Sequence, residues 1–163
     1  MNLSPGEMQF YTTIISFPAT IRIFFGIISD NFPINGSSRK PYIIIFGIIS
    51  GILFLTVVIF DLLYSPSLLT IIMTMISVCF CWIGTVNDAL IVMYSRNDME
   101  SGSQYLFSVS ALPSCLGGMI GSYLGAVFTS DSNPQVLYIV MALFSFLIAF
   151  LGYWLNEDVV VDN

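Results

Sequence analysis

Five long apolar runs, each cut off by a short polar turn sequence, set the pattern of this chain. The runs cover Met8–Ser29, Tyr42–Leu62, Leu68–Tyr94, Gln104–Thr129 and Val136–Leu155. A bilayer core about 30 Å thick is crossed by roughly 20 apolar residues in an α-helix, so each run predicts one membrane span. Between the runs stand SDNFPINGSSRKPY, DLLYSPS, SRNDMESGS and SDSNPQ. All four are rich in the Pro, Gly, Asn, Asp and Ser that punctuate helices. Connectors this short predict antiparallel neighbours in one compact bundle. The expected fold is an all-α, polytopic transmembrane helical bundle over residues 1–155, followed by an acidic cytoplasmic tail, NEDVVVDN, at 156–163.

Composition agrees with that pattern and closes off several function classes. Of 163 residues, 56% are hydrophobic and only 9% charged, where a soluble domain carries about 25% charged residues. So few charges cannot cover a water-facing surface, and the first partner of the chain is a lipid bilayer. The expected location is an integral, multi-pass one, with plasma and organelle membranes equally compatible. Four basic residues against ten acidic ones leave nothing to neutralise a run of phosphates, which excludes nucleic acid as a partner. The chain has no His, and Cys79, Cys81 and Cys115 sit within apolar runs, where a free Cys acts as a small hydrophobe. Neither a metal site nor a disulfide framework is expected. No HExxH, phosphate-binding loop or nucleophile–base pair is present, so neither an enzyme nor a bound cofactor is expected. The N-terminus lacks the basic segment and cleavage site of a secretory signal.

The basic residues also orient the bundle. Arg39 and Lys40 fall in the first connector, Arg96 in the third, and Arg22 near the C-terminal end of the first run. The second and fourth connectors carry no Lys or Arg. All positive charge therefore gathers on one side, the cytoplasmic one, and the first span runs from outside to inside.

Arg22 and Asp88 are the sharpest chemical signal. Ionisable residues within spans are costly and face the bundle interior, a cavity or each other. Arg22 lies seven residues from the edge at Ser29 and Asp88 six from the edge at Tyr94, which puts both about 10 Å deep at 1.5 Å per residue. Both spans run outside to inside, so the two side chains share a depth and are expected to pair directly or through water. Against this stands a simpler arrangement, with Arg22 snorkelling to the interface and Asp88 capped by hydroxyls. Asn87 points about 100° away around the helix and offers a hydrogen bond to a ligand or a neighbouring helix. Asp30 ends the first span, where the helix dipole repels a carboxylate, and needs a positive partner such as Arg39, Lys40 or Arg96. Pro18, four residues before Arg22, is placed to bend that span. In the fourth span Gly117, Gly121 and Gly125 form a small-residue stripe that lets another helix approach closely, downstream of a kink candidate at Pro113. Trp82 and Phe80 lie deep enough either to stack on a flat ligand or to make core or lipid contact.

The first connector also carries a resemblance. GIISDNFPINGSSRKPY, residues 26–42, resembles the loop between the second and third helices of the folate–biopterin transporter family, a branch of the major facilitator superfamily. Gly26, Asp30, Gly36, Arg39 and Lys40 look like a stretched form of the superfamily's G-x-x-x-D…G…R-[RK] gating loop. NDAL at 87–90, SGS at 101–103 and LSPGEMQ at 3–9 are similar, in order, to segments of the fourth, fifth and second helices. A Lys-Pro pair is usual in the family where Arg22-Ile23 stands. The resemblance implies a partial N-terminal half of a major-facilitator carrier, five spans equivalent to helices 2–6, with helix one and the C-terminal half missing. It implies a secondary-active transporter, or a fragment of one, that moves a folate- or pterin-type small-molecule substrate by alternating access. Arg22, Asp88 and Asn87 would then serve substrate or coupling. The missing half or a full-length relative would be a further partner. A different function for the same helices is a non-transporting scaffold, or a degenerate paralogue, that associates through the Gly-rich span.

Overall fold

The computed structural model describes residues 4–31, 40–60, 65–95, 102–130 and 134–154. Among them there is helix and no strand: α1 (Pro5–Thr20), α2 (Arg22–Asn31), α3 (Lys40–Ile59), α4 (Pro66–Ser95), α5 (Gly102–Ser130) and α6 (Pro134–Trp154). Gly36, Arg39, Arg96 and the acidic tail lie outside the described residues, as does the side chain of Asp30.

Local chemistry sets the helix ends. Ser4 caps α1: its Oγ accepts from the Glu7 amide at 3.4 Å, and its own amide donates to Glu7 Oε2 at 2.8 Å. That reciprocal pair satisfies amides that have no partner within the helix. Pro5, Pro66 and Pro134 open their helices and Pro41 stands second in α3, first-turn positions where a missing N–H costs nothing. Pro18 is different, because it lies inside α1 and removes an interior hydrogen bond. The helix gives way three residues later, at Ile21 (φ −95°, ψ 13°). There the Phe24 amide reaches only three residues back, to the Ile21 carbonyl at 3.0 Å, and α2 begins at Arg22.

Among the described residues, five stretches are long and apolar enough to cross a membrane: Pro5–Ile28, which joins α1 and α2, then Lys40–Ile59, Pro66–Val92, Ser110–Phe128 and Gln135–Trp154. Large apolar side chains such as Ile23, Ile52, Ile59 and Met119 are exposed along them, as lipid-facing residues of a membrane protein are. The chain is an integral, multi-pass membrane protein.

The helices form two compact units, divided after Val86 on α4 and before Tyr138 on α6. The first unit contains α1, α2, α3 and most of α4 and α6, and its core is built on Phe54, Ile76 and Ala142, with Leu53, Ile72, Met141 and Phe146 against them. Its α3 and α6 pack antiparallel. An added β-carbon at Gly47 would meet Ala149, one at Gly51 would meet Phe146, and one at Gly152 would meet Ile43. As one number rises the other falls. Small residues let these backbones approach closely, which is how helices associate where hydrophobic driving force is weak. Two buried hydroxyls on this pair stay within their own helices, Ser50 donating to the Gly47 carbonyl and Ser145 to that of Met141, both at 3.0 Å. The second unit, Asn87–Leu137, is dominated by α5, whose membrane-crossing stretch contains no buried residue.

Candidate functional site

The break between α1 and α2 puts Arg22 at the first position of α2. From there its side chain reaches α4, where Nε donates to Thr85 Oγ1 at 3.2 Å. Thr85 in turn donates its hydroxyl proton to the Cys81 carbonyl, one turn back, at 2.7 Å. The guanidinium sits against bare backbone: a β-carbon at Gly84 would lie 3.0 Å from Nη2 and 3.5 Å from Cζ. A second glycine makes room from the other side, since a β-carbon at Gly26 would come within 3.2 Å of Thr85 Cγ2. Arg22 is half-buried in this seat. The Thr85 acceptor directs Nε towards α4, and the bare backbone at Gly84 leaves room for Nη2 beside it.

One turn along both helices, aromatic rings fasten α2 to the bundle. Trp82 stacks with Phe25 at 5.2 Å, with Tyr42 at 5.4 Å and with Phe46 at 5.0 Å between ring centroids. The three rings come from α2 and α3, and Trp82 itself is buried. Of the two roles open to it in the sequence, the structure gives it the core one. Phe80 is exposed, with its ring tilted against Phe54 at 6.2 Å.

Asn87 and Asp88 lie beyond Val86, in the second unit, and both are exposed. Lys40 opens α3 and sets its Nζ 5.3 Å from the centre of the Tyr153 ring on α6, a cation–π contact between two helix ends. Gly117, Gly121 and Gly125 behave unlike Gly47, Gly51 and Gly152: among the described residues, a β-carbon added at any of the three would meet nothing within 4 Å. Close helix approach instead occurs at Gly47, Gly51 and Gly152. Gly47-x-x-x-Gly51 is a small-residue pair at the same spacing as the α5 stripe and was readable in the sequence.

Sequence reasoning also missed the outer face of α1. Gln9, Thr12, Thr13, Ser16 and Thr20 are all exposed and fall within an arc of about 100° at 100° per residue. Tyr11, Ile15 and the buried Pro18 form the opposite edge. A groove of about 450 Å³ runs over the polar face, lined by Pro5, Met8, Gln9, Thr12, Thr13 and Ser16. The signal was legible as a helical period of polar residues, hidden because hydroxyls barely lower the hydropathy of a span. Among the described residues no group of His, Cys, Asp and Glu is placed to hold a metal ion.

Comparison with known proteins adds the lineage. The chain is 31% identical over 144 residues to probable folate-biopterin transporter 4 of Arabidopsis thaliana, an alignment covering 88% of this chain and 29% of that protein. It is 23% identical over 161 residues to folate transporter 2 of Plasmodium falciparum, covering 99% of this chain and 35% of that one. The chain thus spans about a third of the length of these relatives. No solved structure matches it. The match to the BT1 family extends over residues 1–163, and the chain belongs to that family.

Proposed function

We propose that the chain is part of a secondary-active carrier of folate- or pterin-type organic anions that works by alternating access. One observation carries this reading: a guanidinium stands at a break in a membrane-spanning helix, seated on a neighbouring helix by Thr85 and Gly84. Discontinuous spans are where carriers of this kind expose backbone and charge to a substrate. An arginine in that position supplies the positive charge that an anionic cargo needs. The names of the relatives point to the same cargo class.

In this reading Asp88 is the coupling group. It stands three residues beyond Thr85 on α4, a spacing that puts two residues on one helix face. Proton coupling through Asp88 belongs to the same reading, as an ionisable residue within a span. Asn87 adds a hydrogen bond at the same level. Gly26, Asp30, Gly36, Arg39 and Lys40 form the cytoplasmic gating loop of a major-facilitator half. The experiment is uptake of labelled folic acid and biopterin by cells expressing the protein, beside cells carrying an empty vector and the Arg22→Gln variant. Accumulation of either compound above vector, lost in the variant, supports the reading, and accumulation no greater than vector overturns it.

A second reading draws on the open face of α5. A membrane-crossing stretch with no buried residue and a glycine stripe whose added β-carbons would meet nothing within 4 Å among the described residues suit permanent association with the remainder of a carrier or with a full-length relative. A scaffold would bind that partner without moving cargo, so the same uptake experiment separates the two.

A further inference from the structure

The geometry around Arg22 does more than neutralise a charge. The single hydroxyl proton of Thr85 is directed at the Cys81 carbonyl, so towards Arg22 the oxygen can only accept. The donor that meets it is Nε–H, at 3.2 Å. Nη2 is the atom nearest to Gly84. Nε and Nη2 together define one edge of the planar guanidinium, and that edge is turned to α4. The plane is therefore set, and with it the direction of the Nη1–Nη2 edge. A guanidinium fork whose plane is fixed suits a carboxylate, which accepts two parallel hydrogen bonds in that plane. A lysine ammonium has no plane to fix. Gly26 leaves the space that Thr85 Cγ2 occupies, since an added β-carbon there would lie 3.2 Å from it, and the Phe25–Trp82 stack ties α2 to α4.

We infer that Thr85 is a positioning residue that holds Arg22 for in-plane, two-point capture of a carboxylate. The site accordingly takes the carboxylate-bearing, folate class of ligand in preference to a neutral pterin. The inference rests on the carrier reading above and narrows it. Gly84 acts with Thr85, because any side chain there would displace the fork.

Uptake kinetics of labelled folic acid and of biopterin, in cells expressing the wild-type protein, Thr85→Val, Thr85→Ser or Arg22→Lys, test it. Val keeps the shape of Thr and removes the acceptor, whereas Ser keeps the acceptor. Wild-type cells should take up folic acid with a lower KM than biopterin. Thr85→Val should raise the KM for folic acid about tenfold, the scale of one hydrogen bond to a charged group, with the maximal rate little changed. Thr85→Ser should restore the wild-type KM, and Arg22→Lys should resemble Thr85→Val. Membrane abundance of each variant, read by immunoblot, separates lost positioning from lost folding. A Thr85→Val variant of normal abundance whose KM for folic acid is unchanged overturns the inference and leaves the carrier reading standing. Equal losses for folic acid and biopterin do the same, since they report structure and not carboxylate capture. Absence of uptake of both compounds by wild-type cells overturns both.

Discussion

Gly47 on α3 and Ala149 on α6 stand so close that a β-carbon at Gly47 would lie 3.0 Å from the Ala149 Cβ and 3.2 Å from its backbone nitrogen. Backbone cannot swing aside as a side chain does. Gly47→Leu should therefore push α3 and α6 apart and destabilise the first unit by about 1–3 kcal/mol, the usual scale of overpacking. Gly121→Leu is the control, because its added atoms enter open space. Thermal unfolding in nanodiscs, followed by circular dichroism, should show a lower midpoint for the first variant and an unchanged one for the second.

Trp82 should behave as a structural residue. It is 9% exposed and has rings from α2 and α3 stacked on it, whereas Trp154 is 75% exposed. Trp82→Ala leaves a cavity at the junction of three helices and should cost about 3–5 kcal/mol. Trp154→Ala should leave the unfolding midpoint close to wild type. Tryptophan fluorescence of the two single-Trp proteins should differ in the same sense, with Trp82 shielded from aqueous quenchers.

Much of this was legible in the sequence because membrane spans are written in plain terms: length, apolarity and polar punctuation. The five spans follow from those alone. Pro18 also announced its bend, since a proline inside a helix removes a hydrogen bond wherever the helix lies. What could not be read was which helix faces meet. The stripe at Gly117, Gly121 and Gly125 and the pair at Gly47 and Gly51 have the same four-residue spacing, yet among the described residues a β-carbon would meet a neighbour at the pair and none within 4 Å at the stripe. Spacing says that a backbone is accessible and does not say what approaches it. Thr85 stayed hidden for a related reason. A threonine in an apolar run normally bonds its own helix, and Thr85 does so with Cys81. Its second role depends on Arg22, 63 positions away.

Gly84→Ala is a finer probe of the Arg22 seat than removal of the charge. The added β-carbon would lie 3.0 Å from Nη2, and the end of an arginine side chain moves aside at little cost. Folding should be preserved, with the unfolding midpoint within about 1 °C per few tenths of a kcal/mol of strain. The guanidinium, however, is displaced from Thr85. Apparent affinity for folic acid in the uptake experiment should fall several-fold while membrane abundance stays at the wild-type level. A variant with lower abundance and unchanged affinity would show that Gly84 serves packing alone.

The outer face of α1 makes a prediction that needs no ligand. Thr12 and Thr13 donate their hydroxyl protons to the carbonyls of Met8 and Gln9, both at 2.8 Å, so each oxygen presents acceptor lone pairs outward. Threonines bonded in this way are tolerated against lipid, but the amide of Gln9 in the same arc is not, because an unpaired amide in hydrocarbon costs several kcal/mol. The carrier reading proposed above resolves the conflict by setting this face along an aqueous pathway. In a background with Cys79, Cys81 and Cys115 replaced by Ala, single cysteines at Thr12, Thr13 and Ser16 should react with a membrane-impermeant methanethiosulfonate reagent. Cysteines at the flanking Phe10 and Phe17, which are exposed but apolar, should react about tenfold more slowly or not at all, since a thiol in hydrocarbon does not ionise. Uniform protection of all five positions would place the stripe against lipid or another helix and remove α1 from the pathway. Protection confined to Phe10 and Phe17 would place the hydroxyl face in contact with water, as the carrier reading requires.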